Sequence, residues 1–416
     1  MRADVVVVGA GMAGLVAAVR LAEAGRRVVV VAKGAGSTRL APGTIDILGY
    51  APDLVEHPAP ALASFVATHP EHPYARVGGE AVAAAVEWLR ERVTVCHYVG
   101  SLDDNMLLPT AIGAAKPSAV VPETMAGGDL RNGGRLLLCG LSGFKDFFPA
   151  LAADTLAASA VAKVVARPIE LSPPTGGEAD VGSLAFARRF EDEGFRRAVV
   201  HEVLAALEGE DAVGFPAVLG RSDVGRVWSD LQHAIGRPVF EIPTLPPSVP
   251  GIRLLTSLQT RLREEGGRLI MGSDVIGARQ AASRVEAVRV RSAARDLEFE
   301  AGSFVLASGG FLTGGLHVDS DGRVEEVVFG LPVTGVPEAG EYFSLEYLAD
   351  HPLAPAGVAV DRVLRPVDPA GDVAYENLYA AGAVLAGAEP WRELSGEGIA
   401  LATGYTVAGH ILERQQ

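Results

Sequence analysis

The hexapeptide GAGMAG at residues 9–14 constrains the fold of this chain more than any other sequence feature. It follows an apolar run at 4–8 that predicts a buried strand, and it opens a segment at 11–24 with helical character. A second apolar run at 28–32 completes a strand–helix–strand unit. In that context the order Gly-x-Gly-x-x-Gly predicts a nucleotide phosphate at the helix N-terminus.

Each glycine of the hexapeptide has a separate expected role. Gly9 permits the tight turn, Gly11 lets a pyrophosphate approach the backbone, and Gly14 lets the helix pack closely on the strand. The alternative is a structural glycine turn that binds nothing. The position of the motif between two apolar strands favours nucleotide binding.

Composition excludes several classes of protein. The chain has 416 residues, 49% of them apolar, which predicts a folded protein with more than one domain. A net charge of −15 without a basic run argues against nucleic acid as a partner. Two cysteines cannot hold an iron–sulfur cluster, and the nine histidines do not cluster, so we predict no metal site. The two cysteines are also too few for a disulfide framework, so we expect a reducing, cytoplasmic location. No uncharged stretch predicts a membrane span.

The middle of the chain has a different character. Proline-bounded loops separate predicted helices at 80–92, 147–162, 184–193 and 196–207. Because these elements interrupt the nucleotide-binding pattern, they predict an inserted domain.

The C-terminal part returns to glycine turns that follow strands. The predicted elements are a helix at 252–265, strands at 268–271, 284–291 and 296–307, a strand and turn at 377–387, and a closing helix that begins near Gly398. Glycines follow the strand at VLASGG and again at NLYAAGAVLAG. Three separated glycine sites are therefore expected to meet at one cofactor.

In this order, the three sites resemble the two-dinucleotide-binding-domain flavoproteins, a superfamily that includes the flavoprotein subunits of fumarate reductase and succinate dehydrogenase. Within it, six segments resemble the family of the B subunit of anaerobic glycerol-3-phosphate dehydrogenase. They are HPY at 72–74, LSGFKDF at 141–147, PTLPPSVPGIRL at 243–254, VLASGGF at 305–311, LRP at 364–366 and NLYAAGAVLAG at 377–387. The resemblance spans nearly the whole chain, and PTLPPSVPGIRL is its most specific segment.

The resemblance implies a flavin-dependent electron-transfer subunit of a quinone-linked glycerol-3-phosphate dehydrogenase, which converts glycerol 3-phosphate to dihydroxyacetone phosphate. It implies a sister flavoprotein subunit, an iron–sulfur membrane subunit, and quinone as the acceptor reached through the complex. The implied cofactor is FMN, with FAD as the alternative. The implied location is cytoplasmic, on the inner face of the cell membrane through the partner subunits.

The expected fold class is α/β, with an FAD/NAD(P)-binding Rossmann-like domain and a large inserted α+β domain. The expected segments are 1–50, 242–315 and 361–416 for the flavin-binding domain, 51–241 for the inserted cap or substrate domain, and 316–360 for a connecting or cap segment.

The residues expected to bind the flavin come from the glycine turns, the end of the second strand, the loop after it and the start of the last helix. They are Gly9, Gly11, Met12, Ala13, Gly14, Lys33, Gly34, Ser37, Thr38, Gly43, Thr44, Ser308, Gly309, Gly310, Gly382, Ala383, Gly396, Gly398 and Ile399.

Two of these residues depart from the superfamily pattern. Lys33 stands where an acidic residue usually holds the adenosine ribose, and Ala383 stands where an acidic residue usually holds the ribityl chain. A lysine there can face a phosphate, and the alternative is a solvated side chain.

A substrate site is harder to predict. Thr244, Ser248 and Arg253 are expected to bind an anionic substrate or to line a subunit interface, or else Arg253 is simply solvated. No catalytic residue is assigned. Two other functions stay open: a free-standing enzyme similar to fumarate reductase or ketosteroid dehydrogenase, and a non-catalytic scaffold with a degenerate flavin site.

Overall fold

The computed structural model describes residues 2–159, 163–291, 295–338, 340–346 and 349–414. Within them the strands are Val5–Val8 (β1), Val28–Ala32 (β2), Tyr98–Gly100 (β3), Met106–Pro109 (β4), Ala115–Ser118 (β5), Val120–Pro122 (β6), Gly134–Leu141 (β7), Val164–Leu171 (β8), Ala212–Pro216 (β9), Val239–Ile242 (β10), Arg268–Met271 (β11), Val275–Ala281 (β12), Arg284–Val290 (β13), Leu297–Glu300 (β14), Ser303–Leu306 (β15), Leu316–Val318 (β16), Val324–Glu326 (β17), Val333–Thr334 (β18), Gly357–Val358 (β19) and Leu378–Ala380 (β20).

The α-helices in the same residues are Met12–Glu23 (α1), Pro58–Thr68 (α2), Pro73–Val77 (α3), Gly79–Arg92 (α4), Glu123–Ala126 (α5), Pro149–Ala158 (α6), Ser183–Phe190 (α7), Glu193–Ala206 (α8), Val224–Ile235 (α9), Val249–Glu264 (α10), Pro390–Glu393 (α11) and Gly396–Arg414 (α12). Short 3-10 helices lie at Ser37–Arg39, Leu130–Asn132 and Phe311–Thr313.

The chain forms two compact units. Unit 1 comprises Met1–Ser37, Ala59–Arg92 and Leu258–Gln416, and unit 2 comprises Thr38–Pro58 and Val93–Ser257. The boundaries of these two units differ from the boundaries of the expected segments. In particular, α4 belongs to unit 1 because it packs against α12, although the inserted segment was expected to begin at residue 51.

Unit 1 is built on a five-stranded parallel sheet in the order β11-β2-β1-β15-β20. The β1 strand is valine throughout and completely buried, as expected of a central strand in a parallel sheet. Helix α1 packs against α12 as well as against β1 and β2. The strand–helix–strand prediction for the first 32 residues and the α/β fold class are confirmed.

The predicted strand at 296–307 is wrong as a single element. It consists of β14, which pairs antiparallel with β13, and β15, which pairs parallel with β1. Gly302 lies between them and marks the point where the chain leaves a three-stranded antiparallel sheet for the central sheet. Glycine in a strand pattern is a known signal of such a break.

Unit 2 contains a four-stranded parallel sheet in the order β10-β9-β7-β8. The sequence pattern predicted helices in this region but not the sheet. Helix bounds also differ from those predicted. Helix α8 begins at Glu193 because the Asp192 side chain accepts a hydrogen bond from the N–H of Phe195 and caps it. Helix α6 ends at Ala158, and the predicted extension over 160–162 falls outside the described residues.

Candidate functional site

Three glycine turns lie side by side at one edge of the central sheet of unit 1. They follow β1, β15 and β20, which are consecutive neighbours in the sheet and run parallel. The chain passes from β1 to β2 on one side and later to β15 on the other, so the strand order reverses between β1 and β15. In open parallel sheets, ligands bind at this reversal beyond the carboxyl ends of the strands.

Packing explains two of the three glycines in the first turn. Gly9 has a φ of +115°, and a Cβ on it would overlap the carbonyl oxygen of Ala307 at the end of β15. A Cβ on Gly14 would overlap the carbonyl oxygen of Gly9. These two glycines are therefore required by the backbone itself, whether or not a ligand binds.

Gly11 is different. A Cβ built on it would have the Cα of Gly36 as its nearest neighbour, 3.9 Å away, which is an ordinary contact. Gly11 is also the N-cap residue of α1, and no side chain in the described part of the protein caps that helix. The protein does not need a glycine here for its own packing, whereas a phosphate that approaches the helix N-terminus would need it. This arrangement fits the phosphate-binding role predicted for Gly11.

Met12 and Ala13 are buried in the first turn of α1, where they pack and hold that turn rather than present polar groups. Gly36, which the sequence analysis missed, holds the next loop against Gly11. Its φ is +74°, and a Cβ on it would come within 2.7 Å of the Gly11 Cα.

Lys33 follows β2 and is 81% exposed. Its ammonium nitrogen lies 3.8 Å from a carboxylate oxygen of Asp274, which follows β11, the next strand in the sheet. Exposed ion pairs of this kind add little stability. Gly34 is also exposed, so neither residue is fixed by burial.

The second glycine turn holds Ser308, Gly309 and Gly310. The Ser308 hydroxyl oxygen is buried and has no hydrogen-bond partner among the residues that the structure describes. Buried hydroxyls normally have a partner, so this one is available to a polar atom of a ligand. A Cβ on Gly310 would come within 2.7 Å of the Ala383 carbonyl oxygen. The backbones of the second and third glycine turns therefore lie close together at this point.

The third turn is fixed to α12. The backbone N–H of Gly382 donates to the hydroxyl of Thr403 at 2.9 Å, and that hydroxyl donates to the Ile399 carbonyl at 2.6 Å. The Gly382 N–H is therefore used inside the protein, and Ala383 is the exposed residue of the turn. Sequence reasoning missed Thr403, because a threonine within a helix gives no local signal of a contact with a distant turn.

The first turn of α12 contains Gly396 and Gly398, and Ile399 follows them as a buried residue. A Cβ on Gly404, further along the same helix, would overlap the carbonyl oxygen of Ala13. The two helices therefore approach each other closely, and this contact holds the N-terminus of α12 in fixed relation to the N-terminus of α1.

A buried polar network lies just before α12, and sequence reasoning missed it. His72 Nε2 lies 3.1 Å from Glu393 Oε2, and Ser395 donates its hydroxyl hydrogen to the same oxygen at 2.6 Å. Burial alone would raise the pKa of Glu393. The hydrogen bonds from His72 and Ser395 outweigh that effect, so the pKa of this carboxyl lies below its usual value.

The loop expected to wrap the flavin ring divides between the units. Ser37 is exposed in unit 1. In unit 2, Thr38 is buried, and Gly43 has a φ of +83°, where an added Cβ would come within 2.7 Å of the Pro250 Cβ. The Thr44 hydroxyl accepts a hydrogen bond from the Lys116 ammonium at 3.0 Å.

The alternative in which Arg253 is a solvated side chain is wrong. The residue is 3% exposed, and its guanidinium donates to both carboxylate oxygens of Glu241 and to the carbonyl oxygen of Gly220. Because its three nitrogens all donate inside unit 2, this buried guanidinium is not exposed to a substrate or partner. The Ser248 hydroxyl accepts from the N–H of Gly251 at 3.1 Å, and Thr244 is half-buried.

Comparison with known proteins agrees with this geometry. Residues 4–399 match the FAD binding domain family, which places the chain in the class of FAD-binding flavoproteins. Comparison with similar proteins identifies a particular family within this class. The chain is 35% identical to the B subunit of anaerobic glycerol-3-phosphate dehydrogenase from Pectobacterium carotovorum subsp. carotovorum (strain PC1), over 99% of both chains. The chain belongs to the family of anaerobic glycerol-3-phosphate dehydrogenase B subunits, and the resemblance seen in the sequence is confirmed.

A second relative is also similar. The chain is 34% identical to a probable B subunit of anaerobic glycerol-3-phosphate dehydrogenase from Halobacterium salinarum, over 97% of this chain and 96% of that one. Among solved structures, a 3-ketosteroid delta1-dehydrogenase from Sterolibacterium denitrificans is 14% identical with a TM-score of 0.48, over 99% of this chain and 100% of that one. None of the helices in the described residues has both the length and the apolar character needed to cross a membrane.

Proposed function

We propose that this chain is the flavin-dependent electron-transfer subunit of a quinone-linked glycerol-3-phosphate dehydrogenase, which oxidises glycerol 3-phosphate to dihydroxyacetone phosphate. The observation that supports this best is the set of three neighbouring glycine turns at the strand-order reversal, with Gly11 open to a ligand. The names of the relatives supply the substrate.

The proposed cofactor is FAD. The match to an FAD binding domain family supports FAD, whereas FMN rests only on the implication drawn from the sequence resemblance. The first turn of α1 at Gly11 would hold the phosphates, and the N-terminus of α12 at Gly396 and Gly398 would face the pyrimidine edge of the flavin ring. When bound, a flavin supplies reversible two-electron chemistry.

The chain's own residues hold these two helix ends in place. Gly14 and Gly404 allow close approaches at α1, and Thr403 joins α12 to the third glycine turn. Backbone N–H groups at both helix ends would stabilise negative charge, of the phosphates at α1 and of the reduced ring at α12.

The proposed assembly contains a sister flavoprotein subunit and an iron–sulfur subunit at the membrane, with this chain on its cytoplasmic face. The relatives are named as one subunit of a dehydrogenase, which supports an assembly of several subunits. Two cysteines in the whole chain cannot bind an iron–sulfur cluster of the four-cysteine kind. In the proposed assembly, the iron–sulfur subunit carries the electrons onward to quinone.

Dye reduction with glycerol 3-phosphate tests this function. We expect the isolated, flavin-loaded chain to reduce the dye slowly or not at all, and activity to appear when the partner subunits are added. Full turnover by the isolated chain would instead support a free-standing flavoenzyme. A chain that adds no activity to its partners and binds no flavin would support a scaffold.

A further inference from the structure

Four side chains that the proposed function does not use lie together just before α12. His72 and Tyr74 come from the HPY motif, and Glu393 and Ser395 flank the turn between α11 and α12. His72, Tyr74 and Ser395 are fully buried, and the Glu393 side chain is 12% exposed. His72 and Glu393, which are 321 residues apart in the sequence, therefore form a hydrogen bond that is largely shielded from solvent.

The hydrogen bonds fix where the protons lie. The Tyr74 backbone N–H donates to His72 Nδ1 at 3.1 Å, so Nδ1 accepts and the ring proton is assigned to Nε2, which donates to Glu393. Ser395 donates its hydroxyl hydrogen to the same carboxylate, and the Glu389 N–H donates to the other oxygen at 2.8 Å. Three donors on one carboxylate favour its ionised form.

Ser395 occupies the position that caps α12. Its carbonyl accepts the hydrogen bond from the N–H of Ile399, which is the first bond of that helix. A serine there ordinarily accepts a hydrogen bond from a first-turn N–H through its hydroxyl oxygen. Here the hydroxyl donates to Glu393, and the described hydrogen bonds include none from the N–H of Gly398, in the first turn of α12, to the hydroxyl oxygen.

The backbone supports this orientation. Leu394, between the two partners, has a φ of +47°, which is uncommon for a residue other than glycine. Tyr74 further holds the turn, because its hydroxyl donates to the Ser395 carbonyl at 3.4 Å. The turn is therefore held by bonds at both the backbone and the side chain of Ser395.

We propose that Glu393 is a positioning residue of the flavin site: it holds the Ser395 hydroxyl away from the first-turn N–H groups of α12 and so leaves the Gly396 and Gly398 amides to the flavin. This rests on the proposed function, since it takes a flavin to lie at that helix end. A capping hydroxyl would satisfy a first-turn N–H and reduce its attraction for an anion.

Sulfite binding to the FAD-loaded protein measures this attraction directly. Sulfite adds to N5 of the flavin and leaves negative charge on the pyrimidine ring, so its affinity reports how well that charge is stabilised. Glu393→Leu removes the acceptor and frees the Ser395 hydroxyl to cap α12. We expect the sulfite dissociation constant to rise about threefold to tenfold.

The Ser395→Ala variant and the double variant separate this role from a structural one. Ser395→Ala alone should change the sulfite affinity by less than about twofold, because its hydroxyl does not face the flavin. The double variant Glu393→Leu/Ser395→Ala should recover most of the lost sulfite affinity, because it has no hydroxyl to cap α12. A purely structural role of the network would instead make the double variant at least as weak as Glu393→Leu. If Glu393→Leu does not fold, Glu393→Met, which also has no oxygen to accept the hydroxyl hydrogen, gives the same comparison with the same Ser395→Ala pairing. Glu210→Gln, which changes a buried carboxylate of unit 2, is the matched control and should leave the affinity unchanged.

Three results would overturn the proposal. Wild-type affinity in the Glu393 variant, or an equal loss in the single and double variants, would show that Glu393 does not act through Ser395. Those outcomes leave the proposed function intact, because the wild-type protein would still bind FAD. A wild-type protein that binds no FAD would overturn the proposed function and this proposal together.

Discussion

The backbone N–H of Gly382 donates to the hydroxyl of Thr403 across 2.9 Å, and this bond joins the last glycine turn to the closing helix. Both residues are buried, so water cannot replace the lost partner if the hydroxyl is removed. Replacement of Thr403 by valine keeps the shape and removes that acceptor.

We therefore expect Thr403→Val to lower the free energy of unfolding by about 1–3 kcal/mol and to weaken FAD binding. Urea denaturation and FAD titration measure the two effects. Thr403→Ser restores the hydroxyl and should recover most of both. A valine variant as stable as the wild type would show that the bond does not hold the turn.

The glycines of the first turn provide a matched pair. Gly11→Ala should leave the fold intact, because the added Cβ has no protein neighbour closer than 3.9 Å. It should weaken FAD binding at least about tenfold, since the Cβ takes the space of a phosphate. Gly14→Ala should instead destabilise the protein, because its Cβ overlaps a backbone oxygen. Circular dichroism melts and FAD titration of both variants distinguish these roles, and equal FAD affinity in Gly11→Ala and wild type would contradict the prediction.

The ion pair of Arg253 and Glu241 is expected to stabilise unit 2. Arg253→Met would leave a buried carboxylate without its partner, which typically costs about 3–5 kcal/mol. Arg253→Lys keeps the charge but cannot donate to both carboxylate oxygens in the same way, so we expect an intermediate loss. Urea unfolding compares the two variants with the wild type. If Arg253→Met unfolds at the wild-type urea concentration, this pair contributes nothing to the fold.

Glu210 should make stability depend on pH in the acid range. The hydrogen bond from Arg167 lowers the pKa of Glu210 from 4.5 to about 2. A carboxyl whose pKa is lowered by folding stabilises the protein above its unfolded pKa, and that contribution is lost as the pH falls through 4.5 toward 2. The loss should be at most about 3 kcal/mol.

Glu210→Gln cannot titrate, so its stability should fall less steeply than that of the wild type between pH 5 and pH 3, a window of about one to two units around the unfolded pKa. Urea unfolding at several pH values measures both slopes. Identical slopes would show that Glu210 does not contribute to the acid sensitivity.

Local sequence patterns were sufficient to predict the strand–helix–strand unit and its glycines. A buried apolar strand and a Gly-x-Gly-x-x-Gly turn act over fewer than about thirty residues, so the sequence records them directly. The parallel sheet of unit 2 was missed although β7 is an apolar run, because short runs of this kind do not separate strands from buried helix segments.

The polar contacts that hold the site could not be predicted in the same way. His72 meets Glu393, and Gly382 meets Thr403, only after distant segments fold together. The burial of Arg253 likewise depends on Glu241 at the end of β10, where the strand places the carboxylate beside the helix. A single sequence shows which residue types stand at these positions, but it does not show which of them contact each other in the folded protein.

The visible absorption spectrum of the purified protein, followed by mass measurement of the cofactor released by acid, tests the central claim most directly. We expect the spectrum of an oxidised flavin, about one flavin per chain, and the mass of FAD, because the chain matches the FAD binding domain family and its three glycine turns and two helix N-termini are proposed to form the dinucleotide site. If FMN is released instead, the protein is still a flavoprotein, but its cofactor is FMN and not FAD. A colourless protein that takes up neither flavin when titrated would contradict the account.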